Sequence, residues 1–152
     1  MPTPVRRFWP KRGPAAVGAH LVVRGGMPIH AHDPRSYQIN GAAMEVHHVL
    51  RRGLLEQLYC EALAIEFELR NIPFVAQVPC QIVYKDRPLS GFYKIDFICF
   101  ENIVVEVKAA SALTPADAAQ ILNYLALTKH RLGLLLNFGS MSLEHRRFVL
   151  DQ

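Results

Sequence analysis

Residues 92–108, FYKIDFICFENIVVEVK, decide how this chain folds. Two apolar runs flank Glu101-Asn102, and the spacing predicts two strands joined by a tight turn, although no glycine marks it. Successive side chains of a strand point to opposite faces. Lys94, Asp96 and Ile98 therefore share one face of the first strand, and Tyr93, Ile95, Phe97 and Cys99 share the other. In Ile103–Lys108, Val104, Glu106 and Lys108 share one face, opposite Ile103, Val105 and Val107. This second strand is apolar on both sides, the pattern of a strand covered by helices. Asp96 and Glu106 interrupt the apolar runs, and a carboxylate is costly to bury unless something pairs it. A hairpin register that sets Asp96 beside Glu106 and Lys108 gathers all three in one place.

Two carboxylates and a lysine in a cleft suit a hard divalent cation and a phosphate. Carboxylate oxygens hold Mg2+ while several waters stay on it. The cation polarises a phosphoryl oxygen and helps generate hydroxide. The lysine orients the water or stabilises the developing charge. The plainer reading is an ion pair at a strand end, which ordinary cores also contain.

At 152 residues, of which 51% are hydrophobic, the chain is expected to form one domain with a real core. No apolar run is long enough to span a bilayer. Cys60, Cys80 and Cys99 are scattered, which points to reduced core residues in a cytoplasmic protein and away from zinc or a disulfide framework. The formal charge of +4 is unevenly spread. Residues 1–35 hold six basic residues and one acid, leaving 11 basic and 12 acidic residues in 36–152. The pI is therefore no argument that the folded part binds nucleic acid. Residues 1–35 are also rich in proline and glycine, lack any helical or strand period, and read as disordered. Three readings compete for them: a basic nucleic-acid arm, a targeting segment, or a start at Met27 that makes residues 1–26 an extension. The last is favoured.

Residues 36–52 read as a helix, with Ile39, Ala42, Ala43, Val46, Val49 and Leu50 on one side and Ser36 as cap. After Gly53 a second helix covers residues 54–70, closed by Asn71 ahead of Pro73. Glu56 and Tyr59 share a face there, and a carboxylate favoured by the positive helix end is the plain explanation of Glu56. Phe74–Tyr84 alternates as a strand, with Pro79 marking an edge or a bulge, and residues 85–88 form a turn. Thr114-Pro115-Ala116-Asp117 starts a third helix that ends near Thr128. Gln120 and Tyr124 share one face of it, by plain reading a polar flank. Residues 131–138 read as a last, central strand, and 143–150 as a short terminal element. The seven histidines show no ligand spacing beyond the His47-His48 pair, whose side chains point apart on a helix.

The order helix, strand, strand, strand, helix, strand, with D-x9-E-x-K in the middle hairpin, resembles the PD-(D/E)XK nuclease superfamily. Residues 53–59, GLLEQLY, fit the GxxExxY pattern of a small bacterial family within it. The flanking stretches 39–47 (INGAAMEVH), 61–63 (EAL), 72–74 (IPF), 120–125 (QILNYL), 133–139 (GLLLNFG) and 146–150 (RRFVL) fit as well. The resemblance implies an α/β, restriction-endonuclease-like core over residues 36–152: a central mixed sheet of about four strands flanked by helices, αβββαβ. It implies Asp96 and Glu106 as metal ligands, Glu56 reaching the same metal shell, and Lys108 as catalytic lysine. Gln120 and Tyr124 are similar to the QxxxY motif of RecB-type nucleases, which supports the site and contacts nucleic acid, and Tyr59 joins them as a substrate or support residue. Two positions depart from the pattern. Arg51-Arg52 precede Gly53 where the family has a Gly-Pro-Gly-like turn, and Ile95 stands where the motif has a proline.

The function so implied is an Mg2+-dependent nuclease, with Mn2+ as a substitute, hydrolysing phosphodiester bonds of DNA or RNA. The alternative is a non-catalytic nucleic-acid or protein-interaction module that retains the fold, for which the near-neutral domain speaks. Hydrolysis of some other phosphodiester is a weaker reading. A nuclease of this size has little surface for specificity, so a homodimer or a protein partner is an expectation of either reading.

Overall fold

The computed structural model describes residues 33–151. The readings of the basic segment as an arm, a targeting segment or a start-site extension lie outside these residues, apart from Asp33, Pro34 and Arg35. Those three open the first helix, α1 (Pro34–Leu50), two residues earlier than expected. The cap is Asp33 rather than Ser36: its carboxylate accepts the Arg35 N–H at 2.9 Å, and Pro34 takes the first position, where its missing N–H has no consequence. The Arg35 guanidinium returns to both Asp33 oxygens and reaches Asn102 Oδ1 at 2.9 Å, which ties the helix start to a distant hairpin turn.

The second helix, α2 (Glu56–Leu69), lies beside α1, and a third, α3 (Pro115–Thr128), is opened by the expected Thr114-Asp117 capping box. Among the described residues the strands are β1 (Phe74–Tyr84), β2 (Arg87–Cys99), β3 (Ile103–Lys108), β4 (Leu132–Asn137) and β5 (Glu144–Val149). They form one mixed sheet in the order β1-β2-β3-β4-β5, so the expected four strands become five. The extra one is the short terminal element, which pairs antiparallel along β4 and makes the far edge. β3 and β4 are parallel, with α3 as their crossover, and both are buried on the two faces of the sheet. No helix among the described residues is long and apolar enough to cross a membrane.

Each face of the sheet has its own core. Ile39 and Val46 of α1 and Tyr59, Leu63 and Phe67 of α2 pack on Ile103, Val105, Val107, Leu134 and Leu136. Ile121, Tyr124 and Leu125 of α3 pack on Val104 and Leu135 from the other side. The β1–β2 hairpin serves both. Phe74, Ala76, Phe97 and Cys99 belong to the α2 side, whereas Val78, Cys80 and Ile95 belong to the α3 side. Strict alternation is therefore broken, and Ile95 does not share a face with Phe97 as the sequence predicted. The cause is Gln77, which sits in the strand at φ 54° and rotates everything beyond it.

The turns also differ in detail. Lys85 and Asp86 alone join β1 to β2, both at positive φ (46° and 63°), as a two-residue turn matching strand twist requires. The β2–β3 turn spans Phe100, Glu101 and Asn102 rather than two residues, because Cys99 pairs with Ile103. Pro79 lies on the outermost strand, as expected of a residue with no N–H to give a ladder.

The α1–α2 connection carries strain. Arg51 has φ 61° and ψ −178°, a conformation that favours glycine. It is held there by its N–H to His47 O at 2.8 Å and by the Tyr59 hydroxyl, which donates to Arg51 O at 2.5 Å and accepts from Leu54 N at 3.1 Å. Arg51→Gly is expected to raise the unfolding free energy by roughly 1 kcal/mol, the lower end of such strain. Urea unfolding checks it: the midpoint should rise with the slope unchanged, and a lowered midpoint would contradict the strain.

Candidate active site

The ladder between β2 and β3 joins Cys99 to Ile103, Ile98 to Val104 and Phe97 to Val105, and then opens. At that point side chains replace backbone partners. The Asp96 N–H donates to Glu106 Oε1 at 3.0 Å, and the Val107 N–H donates to Asp96 Oδ2 at 2.9 Å. Each carboxylate thus satisfies a backbone donor of the opposite strand. Gln77 sits across from Asp96 on β1, and its side chain also hydrogen-bonds the Asp96 carboxylate. Nothing in the sequence marked Gln77, because a positive φ at glutamine has no local signature.

Glu106 is only 4% exposed. Burial pushes its pKa well above the usual carboxylate range, and the charge of Asp96 adds to the rise. Asp96 is also raised, mainly by burial, with the Val107 N–H and Lys108 opposing. Two buried acids this close cannot both stay ionised without compensating positive charge.

Lys108, at the end of β3, donates from Nζ to Gln120 Oε1 at 2.6 Å and lies 3.9 Å from Asp117 Oδ1. Gln120 Nε2 in turn donates to the Tyr124 hydroxyl at 2.8 Å. Asp117, Gln120 and Tyr124 recur at helical spacing, so α3 turns one polar stripe toward the strand end. The sequence assigned Asp117 only to the cap. Burial pushes the Tyr124 phenol up to about 12, so it stays neutral and acts as a hydrogen-bonding group.

Glu56 is the first residue of α2. Burial raises its pKa first, and the charge of Asp96 raises it further against the pull of Lys108. It therefore lies within electrostatic reach of the pair. Among the described residues no three His, Cys, Asp or Glu side chains are gathered closely enough to hold a metal ion by themselves. The immediate donors are Asp96 and Glu106. That set fits Mg2+, which takes one or two carboxylates and keeps several waters, and whose double charge would offset both acids. The nearby Cys60 thiol is pushed up by burial and by the surrounding acids, so it offers no thiolate.

Tyr59 is fully buried and stacks on Phe138 with ring centroids 4.8 Å apart. It clamps the loop ahead of Glu56, so of its two expected roles, substrate contact or support, the buried position suits support. Asn137, which pairs with Lys108 across β3 and β4, was missed by the sequence reading. Its side chain accepts the Ala110 and Gly139 N–H groups at 3.0 Å and donates to Ala110 O at 2.9 Å, anchoring the chain just beyond Lys108. Gly139 is needed there, since an added Cβ would come within 2.3 Å of Ala110 O. His47 is spent on Ser140 O at 3.0 Å.

A pH dependence follows from the raised carboxyls. Their folded values exceed the unfolded ones, so the stability linked to their protons is full below the unfolded value and is lost as pH rises through the folded one. In chelator, the melting temperature should therefore fall from about pH 5 to about pH 9. Glu106→Gln should flatten that fall. A wild-type melting temperature independent of pH over this window would contradict the reading.

The model for the PD-(D/E)XK nuclease superfamily matches residues 33–148. No curated protein and no solved structure matches the chain. Nucleases of that superfamily generally depend on a divalent metal and bind nucleic acid. The match takes in every helix of the described residues and all but the last residue of β5, and the five-strand mixed sheet flanked by helices is consistent with it. The chain belongs to the PD-(D/E)XK nuclease superfamily.

Proposed function

We propose that this chain is a divalent-metal-dependent nuclease that hydrolyses phosphodiester bonds of DNA or RNA. The observation that carries the reading is the buried Asp96–Glu106 pair, placed where β2 and β3 part, with Lys108 following on β3. Asp96 and Glu106 would hold Mg2+, or Mn2+ in its place, and Glu56 would complete the shell. The bound cation supplies Lewis-acid polarisation of a phosphoryl oxygen and helps generate hydroxide at neutral pH. Lys108 has three N–H donors, of which Gln120 takes one, so the others are left to orient water or to stabilise charge on the phosphate. Gln120, held by Tyr124, and Asp117 fix the direction of that ammonium group.

We also place the chain in the GxxExxY group. Each residue of the pattern has a physical task that supports this. Gly53 takes φ 110°, Glu56 opens α2 within electrostatic reach of Asp96, and Tyr59 clamps the loop between them. Arg51-Arg52 in place of the usual turn residues still deliver Glu56, at the cost of the strained Arg51.

Incubation with single- and double-stranded DNA and RNA, in Mg2+ or Mn2+, tests the proposal. Wild-type protein should cleave at least one of them only with metal, and Lys108→Ala should lose about 10²–10³-fold in rate, the scale of one lost electrostatic contact. Undiminished cleavage by the variant would sink the assignment. The non-catalytic module predicts metal-independent binding that Glu106→Gln leaves unaltered, with no cleavage by either protein.

A further inference from the structure

Beyond Val78 and Ile95 the β1–β2 hairpin leaves β3 behind and continues as a two-stranded ribbon to the Lys85-Asp86 turn. Its α3 side starts at Tyr93, which meets Tyr124 edge-on with centroids 5.6 Å apart. Tyr93 and α3 line a cleft of about 270 Å³, with Ala116 and Ala119 leaving room and Gln120 and Asn123 presenting amides. Tyr93 pairs with Cys80, and past a register shift between Gln81 and Val83 the ribbon ends at Tyr84, which pairs with Arg87. Tyr93 and Tyr84 are 47% and 62% exposed, far from the resting state of a packed tyrosine. The Lys85 ammonium lies 5.5 Å from the centre of the Tyr84 ring. Residues 81–94 hold three basic residues and one acid, although residues 36–152 as a whole carry one more acid than base. A line of aromatic faces and cations thus leads outward from the Lys108–Gln120–Tyr124 chain.

We propose that this ribbon, together with α3, is a channel for single-stranded nucleic acid. It rests on the nuclease reading and narrows its substrate class. Tyr93 and Tyr84 stack unpaired bases, the α3 cleft takes one base beside the site, and Arg87 and Lys85 meet phosphates. Stacking platforms serve only bases already out of a duplex, and so few cations neutralise too few phosphates to hold a duplex on charge alone.

The test is fluorescence anisotropy with labelled single strands of DNA and RNA, about 20 nucleotides long, and the matching DNA duplex. The full chain carrying Lys108→Ala is used in chelator, so that nothing is cut and the basic N-terminal residues are common to every variant. Tyr93→Ala and Tyr84→Ala should each weaken single-strand binding about tenfold, the scale of one lost stacking contact. Tyr93→Leu should do nearly the same, since it keeps apolar bulk without a ring face. Leu69→Ala, an exposed side chain of α2 outside the ribbon, should leave binding unchanged. Matching circular-dichroism melts show that the variants are folded. Unchanged binding by both tyrosine variants, an equal loss from Leu69→Ala, tighter binding of the duplex, or a wild-type dimer dispersed by Tyr84→Ala would each overturn the proposal. The two readings fail separately. Tyrosine-dependent binding of single strands without metal-dependent cleavage by wild type sinks the nuclease and keeps the channel. Cleavage that needs Lys108 and ignores both tyrosines does the reverse.

Discussion

The exchange between Asp96 and Glu106 is the interaction on which the rest of this structure depends. Two strands stop pairing through their backbones, and each lends a carboxylate to a backbone N–H of the other. The arrangement meets one physical requirement and violates another. Buried N–H groups must find acceptors where the ladder opens, and the carboxylates supply them. The acids themselves are then left close together, with burial opposing the charge of both. A folded chain tolerates such a pair when a proton or a cation offsets the charge.

The surrounding elements hold that junction open. β3 and β4 form a rigid parallel pair, buried on both faces, and fix Glu106 and Lys108. Gln77 rotates the hairpin so that its near half packs under α2 and its far half under α3. The N-terminus of α2 brings Glu56 toward the opening, and α3 brings the stripe of Asp117, Gln120 and Tyr124. Strain at Arg51 belongs to the same design: the loop is bent against its own preference, and Tyr59 and His47 hold it.

Much of this was legible in the order of residues. Apolar runs on both sides of a strand identify β3 and β4 as interior, because only helices on both faces could cover them. Thr114-Pro115-Ala116-Asp117 announces α3 through a local capping reaction that needs no tertiary context. D-x9-E-x-K in a hairpin, and GxxExxY ahead of it, are linear patterns that gather Asp96, Glu106, Lys108, Glu56 and Tyr59 as candidates.

What the sequence determined by itself was therefore the list of elements and most of the polar residues near their ends, since capping, periodicity and short motifs act over a few residues. Only the tertiary structure decided how they meet. The rotation at Gln77 depends on a backbone angle that the ends of the hairpin impose, so Ile95 and Phe97 part company despite perfect alternation in the text. The burial of Tyr59 depends on Phe138, which arrives from the far end of the chain. Asn137 and Gly139 clamp Ala110 only because β3 and β4 lie side by side. The fifth strand exists because β4 has a free edge for residues that are too polar to read as a strand alone. Each of these rests on contacts between residues distant in sequence, and no local pattern encodes a contact of that kind.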